Sequence, residues 1–124
     1  MKIRIRGNSI RYRLDKADIA TLEVQGKVEE ETCIGAGALH FCIRARADIQ
    51  QPAIRLEGTA VHLSIPAEQL QAWTGSNLTG FDAVITNPDG SVLKLLVEKD
   101  FKCLTERDED ESQAFDNPLN GHTC

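Results

Sequence analysis

The chain has 124 residues, of which 41% are hydrophobic and 27% charged, and a formal net charge of −5. This is ordinary globular composition, and a chain of this length buries about two-thirds of its unfolded surface without disulfide or metal staples. No apolar run approaches the roughly 20 residues that cross a bilayer, and the N-terminus alternates charged with apolar residues, so the sequence predicts neither a membrane span nor a signal peptide.

The expected compartment is therefore the cytoplasm. There Cys33, Cys42, Cys103 and Cys124 stay reduced, and metal binding or plain burial is favoured over disulfides.

In chain order, residues 2–6 alternate Ile3 and Ile5 against Lys2, Arg4 and Arg6, the period of a half-buried strand. Gly7-Asn8 reads as a hairpin turn, and residues 9–14 return with Ile10, Tyr12 and Leu14 inward and Arg11 and Arg13 outward. Asp15 is placed as a helix N-cap with Asp18 closing a capping box, and the helix ends by Gly26. Residues 28–34 and 38–47, split by Gly35-Ala36-Gly37, form a second hairpin, with Leu39, Phe41 and Ile43 alternating against His40, Cys42 and Arg44.

The order then repeats. Residues 54–73 align without a gap on residues 3–22, setting Ile54 on Ile3, Gly58 on Gly7, Leu63 on Tyr12 and Trp73 on Leu22. Hairpin 54–65, a short helix from Pro66 to before Gly75, and strands 81–86 and 91–98 around the turn Asn87-Pro88-Asp89-Gly90 complete the second unit. Strand 91–98 is apolar on both faces and is expected at a sheet centre.

The expected fold class is α+β. Two ββαββ units, an internal duplication, would build an eight-stranded antiparallel barrel or curved sheet with two helices packed outside. One domain is expected over 1–104, with halves at about 1–50 and 51–104, followed by an irregular acidic tail over 105–124.

Charge is unevenly placed. Residues 105–124 hold six acids and one base, leaving 13 bases and 13 acids in the rest of the chain. Lys2, Arg4, Arg6, Arg11 and Arg13 occupy the first fourteen residues with no acid among them. The corresponding outer positions of the second unit carry Arg55, Glu57, His62 and Ser64. The basic hairpin is thus a candidate anion surface, or a dock for the chain's own acidic tail. A balanced body and a single aromatic residue nearby, Tyr12, which points inward, argue against nucleic acid.

Soft ligands form a second constellation. His40 and Cys42 stand two apart on a strand and so share one face. Cys103, His122 and Cys124 bracket the tail. Together these residues could hold zinc or copper tetrahedrally, and a metal would anchor a segment that has no amphipathic period. The run 108–112 brushes a calcium-loop pattern, but Gln113 and Leu119 stand where the glycine and the bidentate glutamate belong.

Catalytic motifs are absent. A duplicated barrel invites comparison with tunnel enzymes that hydrolyse triphosphate, but their first strand carries E-x-E-x-K. Here it reads Lys2-Ile-Arg4-Ile-Arg6, able to hold anions and not the metal.

The opening KIRIRGNSIRYRL (residues 2–14) and the closing LVEKDFKCL (residues 96–104), acidic DEDES and Asn117-Pro118 resemble a family of short, uncharacterised bacterial proteins. The resemblance covers nearly the whole chain and implies a stand-alone domain with no assigned activity. It marks Asn8, Arg11, Arg13, Glu98, Lys99, Asp100 and Cys103 without giving them roles.

The expectation for function is a small cytoplasmic binding or accessory protein rather than an enzyme, a monomer or homodimer, holding a metal through Cys103, His122, Cys124 and His40 or Cys42. The alternatives are a protein-interaction module whose acidic tail covers the basic hairpin until a partner displaces it, and an anion- or phosphate-handling enzyme on a barrel.

Overall fold

The computed structural model describes residues 1–101. Eight strands and two helices follow one another as β1 (Lys2–Arg6), β2 (Ser9–Leu14), α1 (Lys16–Gln25), β3 (Lys27–Ile34), β4 (Gly37–Arg46), β5 (Ala53–Glu57), β6 (Ala60–Pro66), α2 (Ala67–Thr74), β7 (Gly80–Thr86) and β8 (Val92–Lys99). The class is α+β, and the element order ββαββ occurs twice.

Local chemistry accounts for the boundaries. The Asp15 carboxylate accepts from the Asp18 backbone N–H at 2.9 Å while Asp18 accepts from the Asp15 N–H at 3.0 Å, so two donors orphaned at the start of α1 are satisfied reciprocally. The first hairpins of both units turn at a glycine in the left-handed region, Gly7 at φ 54° and Gly58 at φ 60°, a conformation that costs other residues a Cβ clash.

The strands do not close into an antiparallel barrel. They form two four-stranded sheets, β1-β2-β8-β7 and β3-β4-β6-β5. Each sheet takes one hairpin from each unit and joins them at its centre by a parallel pair, β2 with β8 and β4 with β6. The helices cause this. α1 carries the chain from the first sheet to the second, which takes the four consecutive strands β3 to β6, and α2 carries it back, so the first sheet pairs the opening hairpin with the closing one. A parallel join cannot be closed by a hairpin alone: β4 reaches β6 by way of the edge strand β5, and β2 and β8 are separated by both helices and five strands. β8 is a central strand, as expected.

The inner faces of both sheets and both helices contribute to one core. Tyr12, Leu14, Leu95 and Val97 come from the first sheet, Val28, Phe41, Ile43, Leu63 and Ile65 from the second, and Leu22, Leu70 and Trp73 from the helices. Trp73 meets Phe81 edge-on at 5.4 Å between ring centroids and donates its indole N–H to the Thr79 carbonyl at 3.2 Å, so its polar atom is partnered within the core. Ile5 and Leu56 share the inward alternation but are 58% and 74% exposed. Each lies beside its hairpin turn, where the ladder runs past the covered part of the sheet.

Candidate functional site

The outer face of β1-β2-β8-β7 gathers the charge. Register sets its rows: Lys2, Arg13, Glu98 and Gly80; Arg4, Arg11, Leu96 and Asp82; Arg6, Ser9, Lys94 and Val84. All five cations expected on the basic hairpin, Lys2, Arg4, Arg6, Arg11 and Arg13, lie on this face. Lys94 joins them from β8.

At its centre one carboxylate serves two guanidiniums. Glu98 Oε1 accepts from Arg11 Nε at 2.6 Å and from Arg13 Nε at 2.9 Å, and lies 2.5 Å from Arg11 Nη2. Glu98 is only 13% exposed, so the pairing is stronger than at a solvated surface, yet it neutralises one of two positive charges. Lys2 Nζ meets Asp100 Oδ2 at 2.8 Å at the end of the same row. Among the described residues six cations thus face three carboxylates, Asp82, Glu98 and Asp100. Arg4, Arg6, Arg11, Asp82 and Lys94 border a broad hollow of about 580 Å³, and among the described residues Arg6 and Lys94 have no carboxylate partner.

The strand join that creates this face is stitched locally. Asn8 donates its side-chain amide to the Val92 carbonyl at 2.8 Å and accepts from the Lys94 N–H on its own carbonyl at 3.0 Å. The Asp100 N–H donates to the Leu14 carbonyl at 2.8 Å, and Lys99 Nζ reaches the Ser76 carbonyl at 2.6 Å. Asn8, Arg11, Arg13, Glu98, Lys99 and Asp100, the positions marked by resemblance, therefore cluster along β2 and β8. Sequence reasoning missed Lys94 and Asp82 because they reach this face only through a parallel pairing over eighty residues apart; Glu98 alternating with Leu96 and Lys94 was the available signal.

The soft-ligand set does not assemble among the described residues. Cys103, His122 and Cys124 lie outside them. His40 and Cys42 share the outer face of β4 as expected, but each is engaged separately. His40 Nε2 lies 2.6 Å from Glu31 Oε2. The Cys33 thiol donates to the same carboxylate at 3.4 Å. Hydrogen bonds from Cys33 and then His40 hold the Glu31 carboxyl below its usual range, and Glu31 in turn pushes the Cys33 thiol up, away from the reactive thiolate. Cys42 is buried, with Arg44 Nη2 3.5 Å from its sulfur. No group of three or more His, Cys, Asp or Glu side chains placed to hold a metal occurs among the described residues. The triphosphate-tunnel comparison also loses its basis, since two open sheets enclose no tunnel.

Among the described residues no helix is long and apolar enough to cross a membrane. No curated protein and no solved structure matches the chain. A family model matches residues 1–119, and the chain belongs to that family, DUF7009, a family of unknown function.

Proposed function

We propose that the protein is a cytoplasmic binding module whose basic sheet face takes an acidic segment of polypeptide. The chain's own residues 105–124 are the first such segment to reach it, and a partner's acidic segment displaces them. The observation that carries this reading is the charge on the outer face of β1-β2-β8-β7, six cations against three carboxylates, with Arg6 and Lys94 lacking any carboxylate among the described residues.

Reach supports it. β8 ends at Lys99, one residue beyond the row of Lys2, Arg13 and Glu98, so the chain leaves the sheet at the border of the basic face. Four strands span about 14 Å across and a five-residue strand about 17 Å along, well within the reach of twenty residues. A segment tethered this closely acts at an effective concentration in the millimolar range. Weak contacts therefore suffice to keep the face covered, and a partner must compete with them.

The test is titration of a peptide of residues 105–124 into a chain ending at Leu104. Binding that weakens with salt, fails in Arg4→Glu/Arg6→Glu, and is much weaker to the full-length chain supports the module. Equal peptide affinity for the full-length and shortened chains removes the docking of the tail, and no binding to either removes the reading altogether.

The transition-metal reading through Cys103, His122 and Cys124 gains no support from His40 or Cys42, which are engaged by Glu31 and Arg44. Elemental analysis of protein purified without a metal-affinity tag decides it separately.

A further inference from the structure

The other sheet carries a charge of the opposite design. On the outer face of β3-β4-β6-β5, Arg44 stands opposite Ser64, and Cys42 opposite His62. The two parallel joins correspond in register: Val97 faces Tyr12 as Ile43 faces Leu63, and one residue on, Glu98 faces Arg13 as Arg44 faces Ser64. In the first sheet that position supplies an anion, and neighbouring arginines close on it. In the second the same position supplies a guanidinium, and among the described residues no carboxylate closes on it.

Among the described residues two buried nitrogens there have no hydrogen-bond partner, Arg44 Nε and His62 Nδ1. The other arginines of this face are paired. Arg46 is held by Asp48 at 2.9 and 2.5 Å, and Arg55 by Glu57 at 3.2 Å. Arg44 has only the Cys42 sulfur, at 3.5 Å. A guanidinium whose Nε is buried without a partner costs stability, and buried polar groups are as a rule hydrogen-bonded. Arg44, His62 and Ser64 line a hollow of about 120 Å³ with Arg46 and Arg55 at its border and no acid on its wall.

We infer that this hollow is a binding site for a small tetrahedral oxyanion, phosphate or the terminal group of a phosphomonoester, held by Arg44, His62 and Ser64. The chemistry fits each donor. A guanidinium offers parallel N–H groups to two oxygens, the His62 imidazole offers a third donor where Nδ1 carries a proton, and the Ser64 hydroxyl rotates to a fourth. Size restricts the occupant. The hollow equals about four waters at ~30 Å³ each, well below the roughly 300 Å³ where sites for whole cofactors begin. Only the anionic group enters, and any remainder of the ligand lies outward along Arg46 and Arg55. The site is on the sheet opposite the basic face, so it stands or falls independently of the acidic-segment reading.

The test is a titration of the full-length ¹⁵N-labelled protein with inorganic phosphate and, separately, phosphoserine, at constant ionic strength with chloride as the reference. Saturable amide shifts confined to β4 and β6 are expected, with affinity at least about tenfold lower in Arg44→Gln, a loss of about 1.4 kcal/mol. Arg44→Lys, which keeps the charge and removes the fork, should bind nearly as weakly. Lys16→Gln, at the start of α1 and outside both faces, should bind as the unaltered chain does. Tighter phosphoserine binding identifies a phosphomonoester as the ligand, whereas equal or weaker binding identifies the free ion. Shifts that fall on β1 and β2 instead, or that chloride reproduces, overturn the inference. The mapping uses the unaltered chain, so it holds even where an Arg44 variant folds poorly.

Discussion

Replacing Glu98 with glutamine should lower stability and raise affinity for acidic segments at once. Three N–H contacts at 2.5–2.9 Å converge on its Oε1, and the side chain is 13% exposed. Charge-assisted hydrogen bonds of this kind contribute about 1.5–3 kcal/mol each when buried. Arg11 and Arg13 are 25% and 35% exposed, so solvent screens part of that and the contacts are not additive. Glu98→Gln should then cost about 2 kcal/mol, or roughly 6–10 °C in Tm for a chain of this size. The same change removes one of three carboxylates from a face of six cations. An incoming carboxylate about 6 Å away gains about 0.7 kcal/mol even at the dielectric of water, a tightening of roughly threefold. Urea unfolding gives the first quantity, and titration with the 105–124 peptide into the chain ending at Leu104 gives the second. A variant that loses stability without binding more tightly refutes the view that this face is where acidic segments dock.

Three further outcomes follow from the packing, from one buried hydroxyl and from the paired N-terminal ammonium. Gly80→Ala should destabilise by about 3 kcal/mol in urea unfolding, because a Cβ there would collide with the Val97 carbonyl oxygen and lie 2.8 Å from Glu98 Cα, backbone that cannot swing aside. Tyr12→Phe should be neutral or stabilising by up to about 1 kcal/mol, since the Tyr12 hydroxyl is buried without a partner among the described residues and its pKa is driven well above the ordinary tyrosine value by burial. The Met1 ammonium is partly buried, 2.7 Å from Glu30 and 2.9 Å from Asp18. Burial pulls its pKa down, but the two carboxylates outweigh this and leave it raised. Its contribution to stability is therefore complete below about pH 8 and is lost as pH rises through the raised value. Between about pH 7 and pH 9.5 the urea midpoint should fall less in Glu30→Gln than in the unaltered chain; an equal fall in both refutes the assignment.

Elements were legible wherever their chemistry is local. Asp15, Asp18 and Gly26 bound α1 by the capping rules that the coordinates display, and alternation from Ile3 to Leu14 fixed the first hairpin. Partnership between hairpins was not legible. Both units carry the same period-2 pattern, so nothing near β2 distinguishes β8 from β3 as a neighbour, and the crossing helices decide the matter. The five basic residues of the candidate site were readable because they are adjacent in sequence, but the Glu98 clamp and Lys94 depended on the β2–β8 pairing. Arg44 and His62 were visible only as members of an alternating face. Their lack of partners is a property of the assembled sheet, where Asp48 and Glu57 turn to Arg46 and Arg55 instead.

The central claim is that the basic face of β1-β2-β8-β7 is covered by the chain's own acidic segment. Comparing amide shifts of the full-length protein with those of a chain ending at Leu104 tests it most directly. The account predicts differences concentrated on β1, β2 and β8, around Arg4, Arg6, Arg11 and Lys94, that fade as salt shortens the Debye length from about 10 Å toward 3 Å. Differences confined to the residues next to the new terminus, or falling on the opposite sheet, would contradict it.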